Sequence, residues 1–151
     1  MAKFEYQLQS LLNIKQKLEE QEKTAYGLAR SRLNEEEAKL SALLQKREYY
    51  VEQKRQEMSS RVRVQELAAL EQAIHSLTIK MTEQQLSVKR AEKAVAAAQI
   101  RLENAQKERK MQEKLREHAM EQFLREMEAE EQKEINELVT FRFGARAKQN
   151  Q

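Results

Sequence analysis

One pattern constrains this chain more than any other. Leu67, Ile74, Met81, Val88, Val95 and Leu102 recur at every seventh position. Leu70, Leu77, Ala91, Ala98 and Ala105 form a second row three residues further on, broken only by Gln84. A sustained heptad with apolar a and d positions makes a narrow stripe that needs a partner helix. Its 3.5-residue period implies a left-handed supercoil. Composition points the same way. Charged residues make up 35% and aromatics 5% of the chain, too little bulk for a layered core. There is no proline, and the only glycines are Gly27 and Gly144, so the chain turns rarely. High charge alone suggests disorder, but the abundant residues here are strong helix formers.

The first third carries a looser stripe: Leu8, Leu11, Leu18, Ala25, Ala29, Leu33, Leu40, Leu44 and Val51. Its Ala25–Ala29–Leu33 step adds a residue to the heptad and is expected to unwind the supercoil locally. Ser59 and Ser60 are the only adjacent serines between the two stripes, and serine caps helix N-termini well. A turn placed there predicts an all-α fold, a long two-helix antiparallel coiled-coil hairpin with an overhanging C-terminal helix. Helix one is expected over about 4–57, the hinge over 58–61, helix two over 61–140 and a basic tail over 141–151, all one domain. Folding at this point sets Phe4 level with about Leu115. Beyond it Arg109 and Arg116 occupy a positions, and a new stripe appears at Met120, Phe123, Leu124 and Met127. An apolar face without an intramolecular partner implies another molecule, a second copy, or an N-terminus bent back over it.

Little in the chain supports chemistry. Two helices make no dry pocket for convergent groups, so no catalytic residue is expected. His75 and His118 lie far apart with no second ligand spaced for a metal, and two isolated glycines make no phosphate loop. No cofactor is expected. Glu126, Glu130 and Glu134 form a like-charge ladder that weakens an isolated helix and suits a basic partner. Net charge is +3, but the charges are interleaved, as on a solvated helix surface. Lys54, Arg55, Arg61 and Arg63 make the hinge basic, a patch expected to steer an acidic surface. The absence of interleaved aromatics and of a reading-helix motif argues against nucleic acid. The start, "MAKFEYQLQS", has no apolar core of a secretory signal. The longest apolar run, Ala94 to Ala98, is far below the ~20 residues of a membrane span, so no membrane insertion is expected. The lack of cysteine fits a reducing compartment.

Three segments together carry a resemblance. "FEYQLQSLLNIKQKLEEQEK" (4–23), "VQELAALEQAIHSL" (64–77) and "KMQEKLREHAMEQFLREMEAEEQKEINEL" (110–138) resemble the flagellar export protein FliJ family across the whole chain. The resemblance implies a cytoplasmic stalk of the flagellar type III export apparatus, similar to the two-helix stalk of the rotary ATPase gamma subunit. It implies docking into the hexameric export ATPase, which assembles and hydrolyses ATP better for it. The expected ring contacts are Met120, Phe123, Leu124, Met127, Glu130 and Glu134. It implies a second contact, by Leu70, Ala73 and Ile74, with the export gate protein FlhA. Glu66 and Leu77 depart from the family pattern around that contact. The seam frame offers another role for Leu70 and Ile74, as core, and leaves Ala73 on the flank. Export chaperones are further possible partners. The implied location is the cytoplasmic face of the inner membrane at the flagellar base, as a monomeric hairpin. The alternatives are an adaptor that escorts export substrates or chaperones, and the equivalent stalk of a virulence type III secretion system.

Overall fold

The structure is a computed structural model that describes residues 2–60 and 63–149. Two α-helices, α1 (Gln9–Ser59) and α2 (Val64–Gln149), contain nearly all of it and pack antiparallel as a hairpin. No strand occurs among the described residues. They fall into two compact units, Glu19–Ala105 and Met1–Leu18 with Gln106–Gln151.

In the unit Glu19–Ala105, α2 buries the heptad rows. Leu77, Met81, Val88, Ala91, Val95 and Ala98 are its buried residues. The covered positions of α1 are Glu19, Glu22, Ala25, Tyr26, Ala29, Leu33, Glu36, Leu40, Leu43, Arg47, Tyr50, Gln53, Lys54 and Glu57. Apart from Ala25 and Gln53 on the flank, these step by three and four, as in a heptad. The expected stripe is packed only in part: Ala25, Ala29, Leu33 and Leu40 are covered, whereas Leu18, Leu44 and Val51 are exposed. The reason is a mismatch of period. The apolar positions of α1 from Leu11 to Met58 return about every 3.6 residues, as on a straight helix. The rows of α2 return every 3.5. The strict heptad of α2 dictates which face of α1 it covers, polar residues included.

The two periods agree best in mid-unit, and the core sits there. Leu33, Val88, Ala91 and Val95 form the buried cluster, with Tyr26, Ala29 and Leu40 packed against it. Gln84, the one break in the rows of α2, meets a polar partner. Its Nε2 donates to the Glu36 backbone carbonyl at 2.9 Å and also to the Glu36 carboxylate. A polar pair within an apolar seam disfavours other registers, because slipping it strands both groups. Glu19 is 6% exposed and takes an ion pair from Lys23 at 3.6 Å. Arg101 reaches across to Glu22 at 3.4 Å.

The expected roles at the turn are reversed. Ser59 and Ser60 do not start α2. Both hydroxyls donate to the Gln56 carbonyl at 3.0 Å, which also accepts from Ser60 N–H at 3.2 Å, and so bond back onto the last turn of α1. The helix that follows begins at Val64. Arg63 opens it, with its carbonyl accepting from Leu67 N–H at 2.9 Å and its guanidinium donating to Glu66 at 2.9 Å. The expected start of helix two at Arg61 falls outside the described residues.

In the unit Met1–Leu18 with Gln106–Gln151, the heptad of α2 continues where the sequence suggests it fails. Arg109 stays half-buried at its a position by donating two hydrogen bonds to Glu113, at 3.0 and 2.9 Å. Arg116 donates to Gln9 Oε1 at 3.0 Å. Lys15 pairs with Glu108 at 2.9 Å, and Leu12 is buried. Ahead of Gln9 the chain is not helical, so helix one starts five residues later than expected. At the other end α2 runs on through the expected tail to Gln149. Arg146 and Lys148 in its last turn complement the negative end of the helix dipole.

Two outcomes follow. A Cβ added at Gly27 meets nothing within 4 Å, and Gly27 does not adopt positive φ. Gly27→Ala is expected to stabilise the protein by roughly 0.5–1 kcal/mol, seen as a higher midpoint in thermal melts followed by circular dichroism. A lower midpoint contradicts the helical placement of Gly27. The Gln84 hydrogen bond, followed by Lys39 and Arg32 nearby, holds the Glu36 carboxyl below its ordinary value of 4.5 despite partial desolvation. A carboxyl held low contributes stability that is complete above 4.5 and lost as pH falls through the lowered value. The gap in melting temperature between the natural chain and Gln84→Ala is therefore expected at neutral pH and to narrow on acidification. A gap that widens in acid contradicts the pairing.

Candidate functional site

Residues 2–8 are too short and too polar to form a core, yet they determine where α2 loses its cover. Gln9 lies against Arg116 and Phe4 against Phe123, so Phe4 reaches past Leu115. Its ring lies 5.5 Å from that of Phe123, tilted by 55°, and the Arg116 guanidinium sits 5.7 Å from the Phe4 ring centroid. A turn closes this arm through Gln9 N–H donating to the Tyr6 carbonyl at 3.1 Å. The stripe expected to lack a partner is thus partly covered by the N-terminal segment. The overhang begins after Met127.

The proposed ring contacts separate accordingly. Phe123 and Met127 are half-buried, and Phe123 faces Phe4. Met120 and Leu124 are exposed. Every residue from Glu128 to Gln149 is exposed on one unaccompanied stretch of α2, about 30 Å long at ~1.5 Å per residue. Glu130 and Glu134 stand on that stretch. So do Ile135, Leu138, Val139, Phe141 and Phe143, all exposed. These five are absent from the contacts expected from sequence. Ile135, Leu138 and Val139 at i, i+3 and i+4 are a helical signal in their own right. Treating Phe141 and Phe143 as part of a tail hid their place on the helix.

The second set lies in the unit Glu19–Ala105. Leu70, Ala73 and Ile74 are all half-buried along the α2 seam, so Ala73 is no freer than its neighbours. The basic patch nearby is largely compensated. Lys54 pairs with Glu71 at 3.3 Å, Arg55 with Glu52 at 3.7 Å and Arg63 with Glu66 at 2.9 Å. Arg61 lies outside the described residues. Carboxylates this close cancel most of the field that was expected to steer an acidic surface.

Among the described residues no group of three or more His, Cys, Asp or Glu is placed to hold a metal. No described helix is long and apolar enough to cross a membrane. The surface depressions are open grooves along helices. One of them, lined by Phe4, Tyr6, Ala119 and Phe123 among others, follows the N-terminal arm.

Phe4→Ala removes both the ring pair and the cation–π contact, together worth about 1–2 kcal/mol. It is expected to speed amide hydrogen exchange over residues 116–127 while leaving residues 81–98 unchanged. Equal exchange in both chains contradicts the arm's covering role.

Comparison with known proteins places these features. A family model described as flagellar FliJ protein matches residues 4–148. A solved structure from Chlamydia trachomatis, described as that of a YscO homolog, is 20% identical in sequence with a TM-score of 0.52. The alignment covers 99% of this chain and 100% of that one, and shows a shared fold. No curated protein matches.

Proposed function

The chain belongs to the flagellar FliJ protein family, components of type III protein export, and from that premise we propose that it acts as the export ATPase's stalk. In this reading the stretch of α2 beyond Met127 enters the central hole of the hexameric flagellar export ATPase and promotes its assembly and ATP hydrolysis. The observation that carries it is the unaccompanied helix Glu128–Gln149, whose aliphatic and aromatic side chains have no partner among the described residues. A helix with apolar groups on an otherwise charged surface suits a groove or hole lined by another protein. Met120, Leu124 and Met127 contribute at its root, and Glu130 and Glu134 meet basic loops of the ring. Phe123 contributes through Phe4, by holding the root in place.

The other contact in this reading is with the export gate protein FlhA, through Leu70, Ala73 and Ile74. Their partial burial supports a role in shaping that surface from within the seam. The protein works without an active site, at the cytoplasmic face of the inner membrane, and export chaperones are further partners.

The test is ATP hydrolysis by the cognate flagellar export ATPase with the full chain and with Leu138→Glu/Phe141→Glu. Both positions are exposed, at 61% and 76%, so the variant keeps its fold. Stimulation by the natural chain is expected to fall at least about tenfold in the variant, for a loss above ~1.4 kcal/mol of binding. Equal stimulation by both, with helicity intact, contradicts docking through this stretch.

A further inference from the structure

The unit Glu19–Ala105 is poorly filled beside its turn. No residue is buried from Leu43 to Ser59 or from Arg63 to Ser76. There α1 offers Leu43, Arg47, Tyr50, Lys54 and Glu57 to the seam. Two of their polar atoms, Arg47 Nε and Glu57 Oε1, are buried without a hydrogen-bond partner. One position further round α1 stands an apolar row at heptad spacing. Leu44, Val51 and Met58 are exposed, at 43%, 46% and 58%.

We propose that this turn-side segment has two alternative seams, between which α1 exchanges by rotating about its own axis. Successive residues on a helix are ~100° apart, so a rotation of about half that is sufficient. Leu40, Arg47 and Lys54 remain in the seam in both states. Leu43, Tyr50 and Glu57 leave it, and Leu44, Val51 and Met58 replace them. The exchange trades one leucine for another and swaps Tyr50 and Glu57 for two apolar side chains. It also releases the Glu57 carboxylate to water, removing the cost of a buried acceptor without a donor.

Neither seam wins by default. The packed one buries the Tyr50 ring in part and inherits its frame from residues nearer mid-unit. The Leu33 cluster and the Gln84–Glu36 bonds both lie before Leu43 on α1 and fix its rotation there. The alternative seam follows the straight-helix period of α1's own apolar residues. Two packings of similar energy, with the frame pinned on one side only, make a bistable element. In the second state Tyr50 and Glu57 face solvent, so the surface around Leu70, Ala73 and Ile74 differs between the states. The two seams follow from packing alone and stand whether or not the chain acts as a stalk.

The chain has no cysteine, so engineered pairs report cleanly. Tyr50→Cys/Ile74→Cys samples the packed seam and Val51→Cys/Ile74→Cys the alternative, each in the full chain in glutathione redox buffer. Both are expected to close within one chain, the second at an effective concentration within about 100-fold of the first. Adding Gln84→Ala is expected to narrow that ratio by freeing the rotation. The proposal is overturned if the second pair closes no better than the outward control Glu52→Cys/Ile74→Cys. It is also overturned if the second pair closes only between two chains, which makes the apolar row a surface for a second copy. An independent measurement uses Val51→Glu/Met58→Glu in the Tyr50→Cys/Ile74→Cys background. Charging the alternative row is expected to raise the first pair's effective concentration several-fold with helicity unchanged, and no rise refutes the exchange.

Discussion

Two helices of different period share one seam, and most of the structure follows from that. The rows of α2 between Leu67 and Ala105 repeat every seven residues, whereas the apolar positions of α1 drift at the pace of a straight helix. One helix has to accept the frame of the other. Because α2 has the more continuous apolar rows, its frame prevails, and α1 turns Glu19, Glu22, Glu36, Arg47, Lys54 and Glu57 toward it. The well-filled core is limited to the region around Leu33, Val88, Ala91 and Val95, where the two patterns coincide. Elsewhere polar side chains close the seam with ion pairs and hydrogen bonds, such as Arg101 to Glu22 and Lys54 to Glu71. Such contacts add specificity of register more readily than stability.

The same logic explains the unit that holds both chain ends. Arg109 and Arg116 would break an apolar heptad, but Glu113, Gln9 and the Phe4 ring receive them. Phe4 does this from residues 2–8, which precede α1 and lie against α2. That arm fixes the point where α2 emerges uncovered. The helix beyond Met127 is then left unaccompanied above a braced root.

Much of this was legible beforehand, and the failures have physical causes. The rows of α2 were readable because period and apolarity coincide in them, and Gln84 stood out as their exception. In α1 apolarity and period separate, and following the leucines led to Leu44 and Val51, which the structure leaves exposed. A seam containing glutamates is invisible to a search for apolar residues, and only the partner helix reveals it. Ser59 and Ser60 suit either end of a helix by their chemistry; here their hydroxyls bond back to the Gln56 carbonyl at the end of α1. Phe4 reaches past Leu115 because α1 and α2 pair further along than a fold at Ser59–Ser60 sets them, as Lys15 with Glu108 and Gln9 with Arg116 show. Among the expected docking residues, Met120 and Leu124 are exposed and Phe123 is engaged by Phe4. Ile135, Leu138 and Val139 carried a readable helical spacing that the acidic residues around them obscured.

The most direct measurement is amide hydrogen exchange along the full chain, read residue by residue in each helix. If the mismatch of period governs packing, protection peaks over residues 29–40 of α1 and 81–98 of α2. It falls toward the turn on both helices and is lowest beyond Met127. Protection that is uniform along both helices, or highest beside the turn, contradicts the account.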